Sequence, residues 1–210
     1  MASLLYIKAS PRGSRSHSLA VADAFVEAYR AAHPGDEVKT LDLFKANLPP
    51  FDGLAVQAKY TILHGQKHTP EELAAWRPVE AVVAEFKSAD KYVLAVPMWN
   101  FGIPYRLKHY LDVLIQPGYT FSFDPAKGYS GLVTGKPVFV AYARGGEYTE
   151  GTPGEAYDFQ KKYLELALGF IGFTEIKSVV VEPTLMGGPD VAAAKQAEAI
   201  AKAKALAASF

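Results

Sequence analysis

Apolar and polar positions along this chain follow two alternating rhythms. "SLLYIKA" (3–9) is a short apolar run that ends in polar turn residues, the pattern of a buried strand. From Ser18 the rhythm lengthens. Val21, Phe25, Ala28 and Tyr29 recur every three or four residues while Asp23, Glu27 and Arg30 fall on the opposite stripe, which predicts an amphipathic helix. "PGDEV" then turns the chain into a second strand, "EVKTLDL" (37–43). Residues 44–69, with "NLPPFDG", show no clear period and predict a long, partly helical excursion. At "TPEELAAW" (69–76), Thr69 reads as an N-cap, Pro70 as the first helical residue and Glu72 as the capping-box partner of a helix running to Lys87. The rest predicts a strand at 91–96 ("KYVLAV"), a helix at 104–115, a loop or hairpin at 119–135 and a strand at 136–143 ("KPVFVAYA"). A helix at 157–172, a strand at 175–182 and an Ala-rich helix at 190–208 follow.

Strands that alternate with helices predict an α/β fold with a parallel sheet, here one domain over residues 1–210. Near-continuous apolar strands such as "YVLAV" fit burial on both faces. Five strands predict a doubly wound sheet in the order 2-1-3-4-5, with helices on both faces. In such sheets a ligand sits at the carboxyl ends of the strands, near the switch point between strands 1 and 3.

Composition narrows the function classes. Lys plus Arg number 22 and Asp plus Glu number 22, so the formal charge is zero. That speaks against non-specific nucleic-acid binding, which needs excess cations, and weakly against a carrier that docks through a large acidic field. The absence of cysteine excludes disulfides, thiolate catalysis and thiolate metal sites. The five histidines show no metal-ligand spacing on one helix face, so no metal is expected. With no charged leader and no long apolar run, a cytoplasmic protein without a membrane segment is the default expectation.

The candidate chemistry lies in three loops at one predicted sheet edge. "SPRGSRSHS" (10–18) joins strand 1 to the N-terminus of helix 1, where free N–H groups and the helix dipole favour an anion. It lacks the lysine of a Walker A loop and the glycines of a dinucleotide fingerprint. Its serines suit a terminal monophosphate, or else simply cap the helix. "PMWNFGIP" (97–104) follows strand 3 with an aromatic–Asn–aromatic triplet held by Pro97, Gly102 and Pro104. "ARGGEYTEGTPG" (143–154) follows strand 4, and its paired Gly145 and Gly146 let backbone approach a flat ligand. A phosphate nest, an aromatic wall and a glycine wall together describe a slot for a planar ring on a phosphate tail, which FMN fits.

With "GLVTGK" (131–136) and "LGFIGF" (168–173), these loops resemble, nearly end to end, the FMN-dependent NADH-azoreductases, also described as NAD(P)H:quinone oxidoreductases, of flavodoxin-like fold. The resemblance implies FMN contacts from Ser10, Ser16, His17 and Ser18 at the phosphate. It implies others from Pro97, Met98, Trp99, Asn100 and Phe101 beside the ring, and from Ala143, Arg144, Gly145 and Gly146 at its pyrimidine end. It also implies a substrate pocket lined by Phe121, Tyr129 and Phe170 and shared between the subunits of a homodimer. Three positions depart from the commoner family pattern: His17 stands where Gln is frequent, Trp99 where Tyr is, and Ala143 where Ser is.

The implied activity is reduction of quinones and azo compounds by NADH or NADPH, in a two-electron ping-pong exchange through the flavin. The flavin carries the chemistry, so no side-chain acid or base is required. Two rivals stand beside this reading. One is a flavodoxin-like electron carrier or flavin-binding regulator that does not itself oxidise NAD(P)H. The other is a module for a different phosphorylated ligand.

Overall fold

The computed structural model describes all 210 residues. In chain order it forms β1 (Ser3–Lys8), α1 (His17–Ala32), β2 (Glu37–Asp42), α2 (Gly53–Leu63), α3 (Pro70–Ser88), β3 (Lys91–Pro97) and α4 (Tyr105–Leu114). β4 (Phe121–Asp124), β5 (Gly128–Gly131), β6 (Val138–Ala143), α5 (Lys161–Ile171), β7 (Ile176–Val181) and α6 (Gly188–Ala207) complete it. Five strands pair in parallel in the order β2-β1-β3-β6-β7. With β6 and β7 as the fourth and fifth long strands, this is the expected order.

Side-chain alternation along the strands builds a core on each face of the sheet. Leu4, Tyr6, Val93, Ala95, Phe139 and Ala141 pack with α1 and α6, and Phe25 stacks on Phe139 at 4.0 Å between ring centroids. The intervening Leu5, Ile7, Leu94, Val96, Val140 and Tyr142 pack against α3, α4 and α5. Such two-sided burial is why these strands read as unbroken apolar runs.

Local chemistry sets the helix ends. Thr69 Oγ1 accepts from the N–H of Glu72 at 3.2 Å, and Glu72 Oε2 accepts from the N–H of Thr69 at 2.9 Å. Glu72 Oε1 also accepts from the Thr61 hydroxyl at 3.1 Å, which ties α3 to α2. The excursion at 44–69 is helical from Gly53, where Asp52 Oδ1 accepts from Leu54 N–H at 3.2 Å. The helix expected from residue 157 begins instead at Lys161. Asp158 Oδ1 accepts from the N–H groups of Gln160 and Lys161 at 3.1 and 2.9 Å, and its other oxygen is held by Arg144.

Residues 119–135 contain an antiparallel hairpin, β4–β5, anchored where "GLVTGK" crosses "LGFIGF". Val133 N–H donates to Ile171 O at 2.8 Å, and Gly172 ends α5 in the left-handed region at φ 118°. The backbones meet so closely that a Cβ on Gly131 would overlap Ile171 and Gly172. Helices crossing back between parallel strands run against them, so α4 and α5 end near the sheet's amino edge. Phe173 packs there on Tyr92, at the start of β3, with ring centroids 5.0 Å apart. The hairpin therefore hangs at the edge opposite the strand carboxyl ends. We expect Gly131→Ala to destabilise the protein by about 3 kcal/mol through this overlap, measured by urea unfolding.

Candidate active site

At the carboxyl edge, the loops after β1, β3 and β6 converge on one cleft of about 120 Å³. Its first wall is the start of α1. Ser16 is the N-cap: its Oγ accepts from Leu19 N–H at 3.4 Å and lies 3.2 Å from Ser18 Oγ. The N–H groups of His17 and Ser18 have no acceptor within the protein. These free donors, the helix dipole and the exposed Arg12 make this end positive, and no carboxylate lines the cleft. Ser10 and Ser18 are buried behind it, and Ser10 Oγ accepts from Arg12 N–H at 3.5 Å. The His17 ring turns to α6, with Nδ1 2.5 Å from Gln196 Oε1, leaving its backbone on the cleft side.

The second wall is Pro97, Met98 and Trp99. Met98 N–H donates to Ala143 O at 2.8 Å, which locks this wall to the third. Trp99 and Gly102 exchange N–H···O bonds of 3.0 Å each around a two-residue turn in which Asn100 and Phe101 have φ of 47° and 71°. Asn tolerates this conformation, but a bulky Phe does so only under strain. Phe101 remains half exposed, its ring 5.5 Å from that of Tyr157, and its carbonyl accepts from Phe159 N–H at 3.1 Å.

The third wall combines Ala143, Arg144 and Gly145 with Thr184 and Leu185 from the loop after β7. Thr184 N–H donates to Arg144 O at 2.9 Å and Leu185 N–H to Gly145 O at 3.0 Å. Leu185 lies so close over Gly145 that an added Cβ would be 2.9 Å from its Cδ1, and Tyr148 covers Gly146 in the same way at 3.3 Å. Only the backbone of Arg144 serves this wall. Its side chain is 1% exposed and paired with Asp158 and Glu182. Behind the wall, burial and then the Glu165 carboxylate push the Tyr142 phenol well above its ordinary pKa, so it stays protonated. The cleft thus offers donors and flat surfaces and no carboxylate.

Phe121, Tyr129 and Phe170 come together, but elsewhere. Phe121 and Tyr129 lie 4.9 and 5.5 Å from Phe170, and the three line a separate cavity of about 760 Å³ under the hairpin. That cavity shares no residue with the cleft.

A family model described as "Flavodoxin-like fold" matches residues 2–207. The chain is 61% identical to the FMN-dependent NADH:quinone oxidoreductase of Nitratidesulfovibrio vulgaris over the full length of both. It is 50% identical to that of Desulfotalea psychrophila over 98% of each. Among solved structures, an azoreductase from Bacillus anthracis superposes with a TM-score of 0.91 at 33% identity, covering all of both chains. The chain belongs to the family of FMN-dependent NADH:quinone oxidoreductases and azoreductases.

In this family member, sequence reading missed Thr184, Leu185, Asp158, Gln160 and Glu182. "EPTLMGGPD" (182–190) is turn-rich and follows the fifth strand at the same edge as the other loops, so its place was open to the same argument. Asp158 and Gln160 carried no signal, because they read as part of a helix. For the strained turn, we expect Phe101→Gly, which creates the favoured Asn-Gly pair, to raise stability by about 1 kcal/mol despite the lost ring, as read from the urea midpoint.

Proposed function

We propose that this chain is an FMN-dependent oxidoreductase that uses NADH to reduce quinones and azo compounds in a ping-pong exchange. The observation that carries the reading is the convergence of free N–H donors at the start of α1 with a glycine wall and an aromatic turn in one cleft. These residues fit FMN. The N–H groups of His17 and Ser18 and the hydroxyls of Ser10, Ser16 and Ser18 would hold its phosphate. The segments 97–101 and 143–146 would flank its ring. At about 120 Å³ the cleft encloses a small part of such a ligand, since full enclosure takes roughly 300–1,000 Å³. One side of the ring therefore stays open to a stacking partner.

Bound here, FMN would supply the two-electron redox chemistry that links NADH to a quinone or azo acceptor. The protein orients the ring through the backbone of Met98–Phe101 and Ala143–Gly146 and presents an open, mostly apolar approach. No carboxylate lines the cleft, and the protons come from water.

A second copy completes the site. Within one chain, Phe121, Tyr129 and Phe170 lie at the edge opposite the cleft, whereas Phe101, Tyr157 and Phe159 stand exposed beside it. A two-fold partner would bring its aromatic cavity to this cleft, which supports a homodimer with a shared acceptor pocket. No helix is long and apolar enough to cross a membrane, and we place the enzyme in the cytoplasm.

The test is an anaerobic visible spectrum of the FMN-saturated protein. NADH is expected to bleach the flavin band, and a small quinone to restore it. Bound flavin that neither NADH nor NADPH bleaches would make this a carrier or regulator. We further expect Ser16→Ala and Ser18→Ala each to raise the Kd for FMN about tenfold through loss of a bond to a charged group, followed by quenching of flavin fluorescence.

A further inference from the structure

Arg144 links the cleft to the protein interior. Its backbone lines the cleft while its guanidinium points into the protein and joins three partners. Nη2 lies 2.8 Å from Asp158 Oδ2, Nη1 3.3 Å from Glu182 Oε2, and Nε donates to Gln160 Oε1 at 2.9 Å. Each partner leads to a different part of the cleft. Gln160 Nε2 donates to Val96 O at 2.9 Å, one residue before the Pro97 wall. Glu182 accepts from the N–H of Tyr148 at 3.0 Å and from the Thr149 hydroxyl, and Tyr148 covers Gly146. Glu182 also opens the segment that delivers Thr184 and Leu185. Asp158 precedes Phe159, whose N–H holds the strained turn through Phe101 O.

We infer that the Arg144 side chain is a positioning residue that sets, through Asp158, Gln160 and Glu182, the spacing of the cleft walls and the charge behind them, and so tunes the affinity and potential of bound flavin. This rests on the FMN reading above. The geometric part follows from the fork: one planar guanidinium spans three acceptors on two segments, 158–160 and the loop after β7, in a planar geometry that a lysine ammonium cannot reproduce. Buried ion clusters add little net stability over apolar packing, so such a cluster is better understood as specifying an arrangement. The electrostatic part follows from the count. Two carboxylates face one guanidinium, with side chains at most 10% exposed, leaving one net negative charge behind the glycine wall. Burial limits screening of that charge, and it opposes the negative charge that reduction adds to the flavin.

The test uses the FMN-loaded protein and reads the two-electron midpoint potential, the Kd for FMN and the melting temperature. Glu182→Gln and Asp158→Asn are expected to raise the potential and Arg144→Met to lower it. Each shift is expected to be about 30 mV, equivalent to a tenfold change in the ratio of affinities for oxidised and reduced flavin. Arg144→Lys keeps the charge, so it should hold the potential and weaken FMN binding about tenfold. Lys136→Met is the control: its ammonium donates to Lys87 O at 2.6 Å, far from the cleft, so it should lower the melting temperature and leave both flavin readouts alone.

If Arg144→Met does not fold, the two near-isosteric carboxylate variants carry the test. Folded variants with wild-type potential and affinity would overturn the inference, and so would potentials that all shift in one direction. Wild-type protein that takes up no FMN would overturn the reading beneath it, and the inference with it.

Discussion

Parallel pairing of β3 with β1 on one side and β6 on the other is the constraint from which the rest of the site follows. In this register Ile7 pairs with Leu94, Ala95 with Ala141, and Pro97 with Ala143. Strands that point the same way and end at the same level send their following loops to one edge. Residues nearly 130 positions apart, Ser16 and Ala143, thereby come to line one cleft. The pairing is held by burial, because the three central strands lie between a helical layer on each face and their side chains alternate between two cores. A one-residue slip would send every side chain to the wrong core.

The rigid sheet supports local features that would not persist alone. The Asn100–Phe101 turn holds two non-glycine residues at positive φ. It is over-determined by its own pair of N–H···O bonds and by Phe159. The Arg144 cluster would be costly if any partner were missing, since a buried charge without its counter-ion is strongly unfavourable. Both features adjoin the cleft. Stored strain and buried charge placed next to a ligand cleft and secured from outside it are common where geometry has to be held for function.

The same topology separates the two aromatic regions. Strand carboxyl ends carry the cleft, and helix carboxyl ends carry the hairpin with Phe121, Tyr129 and Phe170. These edges are a sheet length apart, roughly 20 Å for six residues. The Gly131–Gly172 contact fixes the hairpin at its edge by letting two backbones touch. A single chain cannot bring the two regions together, whereas a two-fold axis can, and this gives physical content to the proposed shared pocket.

The sequence by itself determined the order of elements, the parallel sheet, the cap at Thr69 and the three loops of the cleft, because each rests on patterns within a few consecutive residues: periodicity, turn residues and helix-start chemistry. "SPRGSRSHS" is legible as an anion-favouring helix start whatever surrounds it. The tertiary structure alone decided where side chains point. Arg144 could be placed on the cleft edge from its position after the fourth strand, but the inward turn of its guanidinium depends on Asp158, Gln160 and Glu182, which are 14 to 38 residues away in sequence. His17 turned to Gln196 for the same reason, across 179 positions. Phe121, Tyr129 and Phe170 were recognisable as a set, but their distance from the cleft follows from the direction in which α4 and α5 run. Local patterns specify elements because their free energies are local. Ion pairs, ring contacts and backbone collisions are decided by separations that only the packed chain defines.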